Sequence, residues 1–170
     1  YLDSSFIPRM EAAMDYFATC QHEDGTIDLL TTNFHSTPDM AFATEPLALS
    51  YKLLSKIEQH GLFPLKSKIK NALLKAGRAL TEGGIHTPNH RWVVCMALAR
   101  IHELFPDKKY TDRIQEWLTE GIDIDADGQY NEKSTSVYSP ITNKAFITIA
   151  KILNDDKLLD PVRNNLALSQ

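Results

Sequence analysis

Apolar residues recur with a helical period along most of the chain. Residues 5–19 carry Phe6, Met10, Ala13, Met14 and Phe17 at that spacing. Residues 39–58 carry Ala43, Leu47, Leu49, Leu53, Leu54 and Ile57, with Asp39 placed to cap them. Pro46 interrupts this run, which predicts either a kink or a true start near Glu45. Residues 66–82 are amphipathic through Ile69, Leu73, Leu74, Ala76 and Leu80, and they stop at two glycines, Gly83 and Gly84. Residues 88–104 hold Trp92, Val93, Met96, Ala97, Ala99 and Ile101, and a helix this apolar belongs at the centre of a core. Helical patterns follow at 107–121 (Tyr110, Ile114, Trp117, Leu118), at 141–153 (Ala145, Phe146, Ile149, Ala150, Ile152) and at 158–168. No stretch reads as a strand, so the chain is expected to be all-α and built from antiparallel helical hairpins.

Polar segments separate these hairpins at 21–38, 83–88 and 123–140. Each lies two helices from the next. In a stack of hairpins such loops emerge on one side, so the connectivity predicts one functional face. The central helix has a well-marked start. Thr87 is a candidate N-cap and Pro88 a first helical residue, which puts Asn89 and His90 in the first turn. Free N–H groups and the positive end of the helix dipole favour an anion there.

Length and charge narrow the function. The chain has 170 residues, 43% hydrophobic and 24% charged, enough for one real core. Its net charge of −4 argues against nucleic acid, which calls for a basic face. No apolar run approaches the ~18 residues of a membrane span, and no signal peptide opens the chain. It begins at Tyr1 rather than Met, which points to a piece of something longer. Cys20 and Cys95 make no disulfide framework and read as reduced thiols near the core.

The residues on the expected face that could carry chemistry are His35, Asp39, Glu45, His86, Asn89, His90, Arg91, Trp92, Tyr130, Glu132 and Tyr138. Singly, each has an ordinary role: Asp39 as a cap, Trp92 as core, Arg91 as a stem covering apolar surface. Together they suit a hydroxyl-rich anionic ligand. Trp stacks on sugar rings, Arg pairs with carboxylate or sulfate, and His or Tyr moves protons. Asp123, Asp125 and Asp127 followed by Gly128 resemble the first half of a calcium loop. The twelfth position, however, is Ser134, and Glu132 comes two residues early. A helix-ending acidic turn with Gly128 at positive φ is the competing reading. His86 and His90 stand four apart, but Pro88 between them breaks the shared helical turn that a zinc pair needs.

The stretches 39–42 (DMAF), 45–48 (EPLA), 87–92 (TPNHRW) and 127–132 (DGQYNE), with Tyr138, resemble the helical domain of heparinase II/III-type proteins. These belong to the wider chondroitin AC lyase and alginate lyase group. The likeness spans roughly residues 21–153. It implies that the chain is a single helical domain, residues 1–170, forming part of an incomplete (α/α) toroid. β-Sandwich domains would follow in the parent protein. It also implies a bacterial, periplasmic or extracellular enzyme that cleaves uronic-acid polysaccharides by β-elimination without a cofactor. Its partners would be an acidic polysaccharide or oligosaccharide and the remainder of the parent chain.

Carried onto this sequence, Asn89 would neutralise the uronate carboxylate. His90 would assist or remove the C5 proton. Tyr138 would protonate the leaving oxygen and, in syn geometry, also act as base, with Tyr130 competing for that slot. His35, Glu45, His86, Arg91, Trp92, Tyr130 and Glu132 would bind substrate. Neutralising the carboxylate stabilises the enolate-like intermediate, and a phenolic base needs a lowered pKa, which Arg91 or His90 nearby could supply. Lys133, Ser134 and Thr135 replace glycines that often accompany the tyrosine loop, and no β-rich segment follows. Two other readings stand beside the lyase. One is a helical-toroid glycoside hydrolase using Asp39, Glu45, Asp127 or Glu132 as its acid and base. The other is a carbohydrate-binding helical domain without chemistry.

Overall fold

The structure is a computed structural model that describes residues 3–58, 60–85 and 87–168. Its contacts group into two compact units, Tyr1–Glu82 and Gly83–Gln170. Among the described residues there are seven α-helices and one two-stranded sheet. The helical class is as the periodicity predicts. The expectation of no strands is corrected.

In the first unit, helix α1 (Ile7–Cys20) leads into strands β1 (Ile27–Leu29) and β2 (Asn33–Ser36). The strands pair antiparallel, with Ile27 opposite Ser36 and Leu29 opposite Asn33. Ile27 and Leu29 alternate around Asp28, but three residues are too few to register as a strand period. The turn ahead of the hairpin comes close to helix α3 (Phe63–Glu82) because Gly25 permits the approach. Gly25 has φ +93°, and a Cβ there would lie 2.1 Å from the Lys75 carbonyl oxygen. Gln21 reinforces the seat, its Nε2 donating to the carbonyls of Gly25 (3.2 Å) and Ala72 (3.1 Å).

Helix α2 (Thr37–Leu54) starts earlier than the apolar pattern suggests. Its cap is Ser36, whose Oγ accepts the Asp39 N–H at 3.2 Å, so Asp39 lies in the first turn rather than capping it. The helix runs through Pro46 instead of starting there, giving up one N–H bond to do so. α2 and α3 pack on each other, and the Lys66 ammonium donates to the Ile57 carbonyl at 2.9 Å across their connection.

The second unit is organised around helix α4 (Pro88–Leu104), whose residues 91–99 are all buried. The expected boundaries and the central position both hold. Helix α5 (Lys108–Thr119) returns antiparallel, and Glu120 just past its end meets Arg91 near the start of α4. Helix α6 (Tyr138–Leu153) packs along α4, with Trp92 and Phe146 ring centroids 4.6 Å apart. It begins three residues before the expected start. Pro140 sits in the first turn, where no helical N–H bond is needed, so it marks the inside of a helix start rather than a loop. Asn154, in the left-handed region at φ 54°, ends α6, and helix α7 (Asp160–Ala167) follows a 3₁₀ turn. No described helix is long and apolar enough to cross a membrane.

The Trp92–Phe146 contact joins the two longest helices of this unit. Phe146→Ala should lower the unfolding free energy by about 3–5 kcal/mol, through lost burial plus the cavity left against Trp92. Urea unfolding, read as a shift in midpoint at constant slope, measures it.

Candidate functional site

The start of α4 is where the chemistry gathers. Thr87 has the extended backbone of a cap residue, but its side chain makes no capping bond. The cap arrives from Glu132, far along the chain. Glu132 Oε2 accepts the Asn89 backbone N–H at 3.1 Å, and Oε1 accepts Asn89 Nδ2 at 2.8 Å. One carboxylate is therefore held by two donors of one residue at the positive end of a 17-residue helix. Burial raises the Glu132 pKa above the ordinary carboxyl value, while the Asn89 bonds and the charge of His90 pull it down. Asn89 is buried, and its Oδ1 finds no partner. His90, beside it, is half-buried.

Arg91 anchors the other side of the same turn. Its Nη1 donates to Glu120 Oε2 at 2.8 Å and its Nη2 to the Gly121 carbonyl at 3.2 Å. Nη2 also bonds Asp123 Oδ2 closely, and the guanidinium lies 4.6 Å from the centre of the Trp92 ring. Arg91, Glu120 and Asp123, with Ile85, Thr87 and Pro88, line a small cavity of about 150 Å³. Arg91 thus fastens the segment after α5 to the start of α4.

Two of the aromatic candidates, Trp92 and Tyr130, are buried. Trp92 is 1% exposed, closed in against Phe146, and offers no face to a sugar. Tyr130 is buried with its hydroxyl donating to Asn143 Oδ1 at 2.8 Å. Burial pushes its phenol well up, the opposite of what a base needs. Tyr138 remains open, 42% exposed as the first residue of α6. Ser134 ties it to the same loop, its Oγ accepting the Tyr138 N–H at 3.4 Å and its carbonyl accepting the Ser139 N–H at 2.9 Å. Glu132 and Ser134 are two residues apart, so α4 and α6 begin beside one loop. Since they also pack along each other, they run parallel. The starts of α4 and α6 therefore lie at one end of this unit.

The acidic turn is also occupied by the protein itself. Asp125 Oδ1 accepts the N–H groups of Asp127 (3.0 Å) and Gln129 (2.8 Å), and Asp123 serves Arg91. Gly128 has the expected positive φ, +91°. Among the described residues no group of three or more His, Cys, Asp or Glu is placed to hold a metal ion. His86 lies outside the described residues.

His35 and Glu45 belong to the first unit. Glu45 is buried within α2. His35 is part of a cluster that periodicity could not reveal. Its ring stacks on that of His22 with centroids 4.0 Å apart. His35 Nδ1 lies 2.7 Å from Asp24 Oδ2, and His22 Nε2 lies 2.8 Å from Asp28 Oδ1. Asp28 Oδ1 also accepts the His35 N–H at 2.8 Å, which holds His35 at φ 50°. The Asp24 pKa falls to about 2, chiefly through hydrogen bonds from the Thr26 hydroxyl and N–H, and then through His35.

No protein-family model matches this chain, and no curated protein or solved structure matches it.

Two predictions follow from these bonds. Glu132→Ala strips both Asn89 donors of their acceptor and should cost about 1–3 kcal/mol in urea unfolding. Glu132→Gln keeps a carbonyl acceptor and removes a charge that burial disfavours, so it should cost well under half as much. Asp24 has a depressed pKa, so its contribution to the hairpin is complete above 3.8 and is lost as pH falls towards about 2. The amide signal of Thr26, which donates to Asp24, should broaden or shift across that window, and Asp24→Asn should abolish its transition.

Proposed function

We propose that this chain is a helical domain of a polysaccharide lyase, part of an (α/α) toroid, acting on uronic-acid chains by β-elimination. The observation that carries the reading is the grip of Asn89 on a carboxylate. In the structure that carboxylate belongs to Glu132. During turnover it would be the substrate's own, with Glu132 displaced. Hydrogen bonds to both carboxylate oxygens at a helix N-terminus draw negative charge out of the uronate and acidify the adjacent C5–H.

The remaining steps use groups at the same end of the unit. His90 or Tyr138 takes the C5 proton, and the electron pair forms the C4–C5 double bond as the C4–O bond breaks. Tyr138 gives its proton to the departing glycosidic oxygen. The exposure of this phenol and the half-open position of His90 support these roles over Tyr130, which is sealed in the core. The parallel pairing of α4 and α6, with α5 returning outside it, supports a hairpin-toroid arrangement.

The test is incubation of the full chain with glucuronate-, mannuronate- and galacturonate-containing polysaccharides. A lyase generates an unsaturated uronate whose conjugated double bond absorbs in the near ultraviolet. Tyr138→Phe should reduce turnover about 10²–10⁴-fold while sparing binding, as expected for loss of a proton-transfer group. Glu132→Gln should leave turnover intact or raise it, because a weaker internal competitor yields more readily to substrate. New reducing ends without the absorbance, abolished by Glu132→Gln, would instead establish a hydrolase. Binding with neither product would leave a carbohydrate-binding domain.

A further inference from the structure

Helix α2 is apolar on two faces, and the first unit covers one of them. Its buried side includes Met40, Ala41, Thr44 and Ala48, and the helix packs on α3. A helix turns by about 100° per residue, which puts Phe42, Pro46, Leu49 and Leu53 on one line, about 150° round from that buried side. All four are exposed, Leu53 to 65%. A single exposed leucine is ordinary on a protein surface, whereas an unbroken apolar line along a helix marks a place where something docks.

The line continues at both ends with charge. Asp39 stands in the first turn of α2 and Lys56 just past its last, where the Lys56 N–H still bonds the Leu53 carbonyl at 3.1 Å. Positions 39, 42, 46, 49, 53 and 56 alternate in steps of three and four, the spacing of a helix–helix seam. They are also symmetric about a midpoint between Leu47 and Ala48. Reflection through it exchanges Pro46 with Leu49, Phe42 with Leu53 and Asp39 with Lys56.

That symmetry selects the occupant. A second α2 laid end for end on the first sets apolar against apolar at four layers and Asp39 against Lys56 at both ends. A parallel copy would instead set Asp39 beside Asp39 and Lys56 beside Lys56. We propose that the outer face of α2 is an antiparallel, two-fold interface with a second copy of this chain. Each contact then occurs twice, as in any interface of a surface with itself. The seam is only about 26 Å long, shorter than a standard interface requires, so the dimer is a weak one that dissociates in the micromolar range. It is independent of the lyase reading, because no residue of the Asn89 cluster takes part.

Sedimentation equilibrium of the full chain over about 1–500 µM tests it. The weight-average mass should climb from that of one chain towards that of two and stop there. Leu49→Asp combined with Leu53→Asp should weaken association at least about 100-fold, since each substitution removes an apolar contact twice. Both side chains are exposed, so the variant keeps its fold, and urea unfolding at the lowest concentration verifies that. Lys56→Glu should weaken the dimer about tenfold by placing like charges at both ends, and Lys56→Arg should leave it unchanged. In a parallel pair Lys56→Glu would only exchange one like-charged contact for another. The proposal is overturned by a mass that stays at one chain throughout, which would leave this face to a different partner. It is overturned equally by a dimer that survives the double leucine substitution, or by one that Lys56→Glu does not weaken.

Discussion

The N-terminus of α4 is closed by a carboxylate that its own sequence neighbours do not supply. The first turn of any helix leaves N–H groups without partners, and at a buried central helix such orphans are costly. Thr87 stands in the capping position but makes no capping bond, and Glu132 supplies the acceptor instead. This contact settles more than one helix end. It fastens the loop after α5 to the start of α4, and the same loop, through Ser134, starts α6. The parallel alignment of the two longest helices in the unit, and hence the Trp92–Phe146 packing, follow from where Glu132 is held.

Arg91 supports this arrangement from the opposite side of the turn. A nearly buried guanidinium needs its charge balanced, and Glu120 and Asp123 converge on it while the Gly121 carbonyl accepts a further N–H. Asn89 and Arg91 therefore divide the labour in one helical turn. One binds a carboxylate that is only partly buried and whose ionisation burial disfavours. The other is locked into a charge cluster with little freedom to release. Of the two, only the Asn89 contact has the character of an exchangeable one.

What was legible in the sequence follows from range. The limits of α4 come from local signals, a proline at the first position and an unbroken apolar run, and both are as read. The start of α6 was obscured because Pro140 is as compatible with a first helical turn as with a loop, and only the Ser134 bonds decide between them. β1 and β2 are too short to show a period, and Gly25 takes its meaning from the α3 carbonyl it approaches, which no local pattern reveals. The same limit applies to chemistry. Asn89, His90, Glu132 and Tyr138 could be named from residue type. That Trp92 and Tyr130 are closed in the core depends on partners Phe146 and Asn143, each a helix away. The pairing of His22 with Asp28 and of His35 with Asp24 likewise arises only once the hairpin folds.

A carboxylate held by Asn89 in the absence of substrate has an energetic consequence under the lyase reading. Replacing Glu132 by a uronate exchanges one carboxylate for another on the same two donors, so the hydrogen bonds nearly cancel. Discrimination must then come from the rest of the sugar and from the cost of returning Glu132 to water. Burial disfavours the ionised Glu132 side chain, while the Asn89 hydrogen bonds favour it. An internal carboxylate of this kind keeps the Asn89 donors satisfied and the helix start intact. A more strongly bound cap would stabilise the fold further, at the expense of the anion site it occupies.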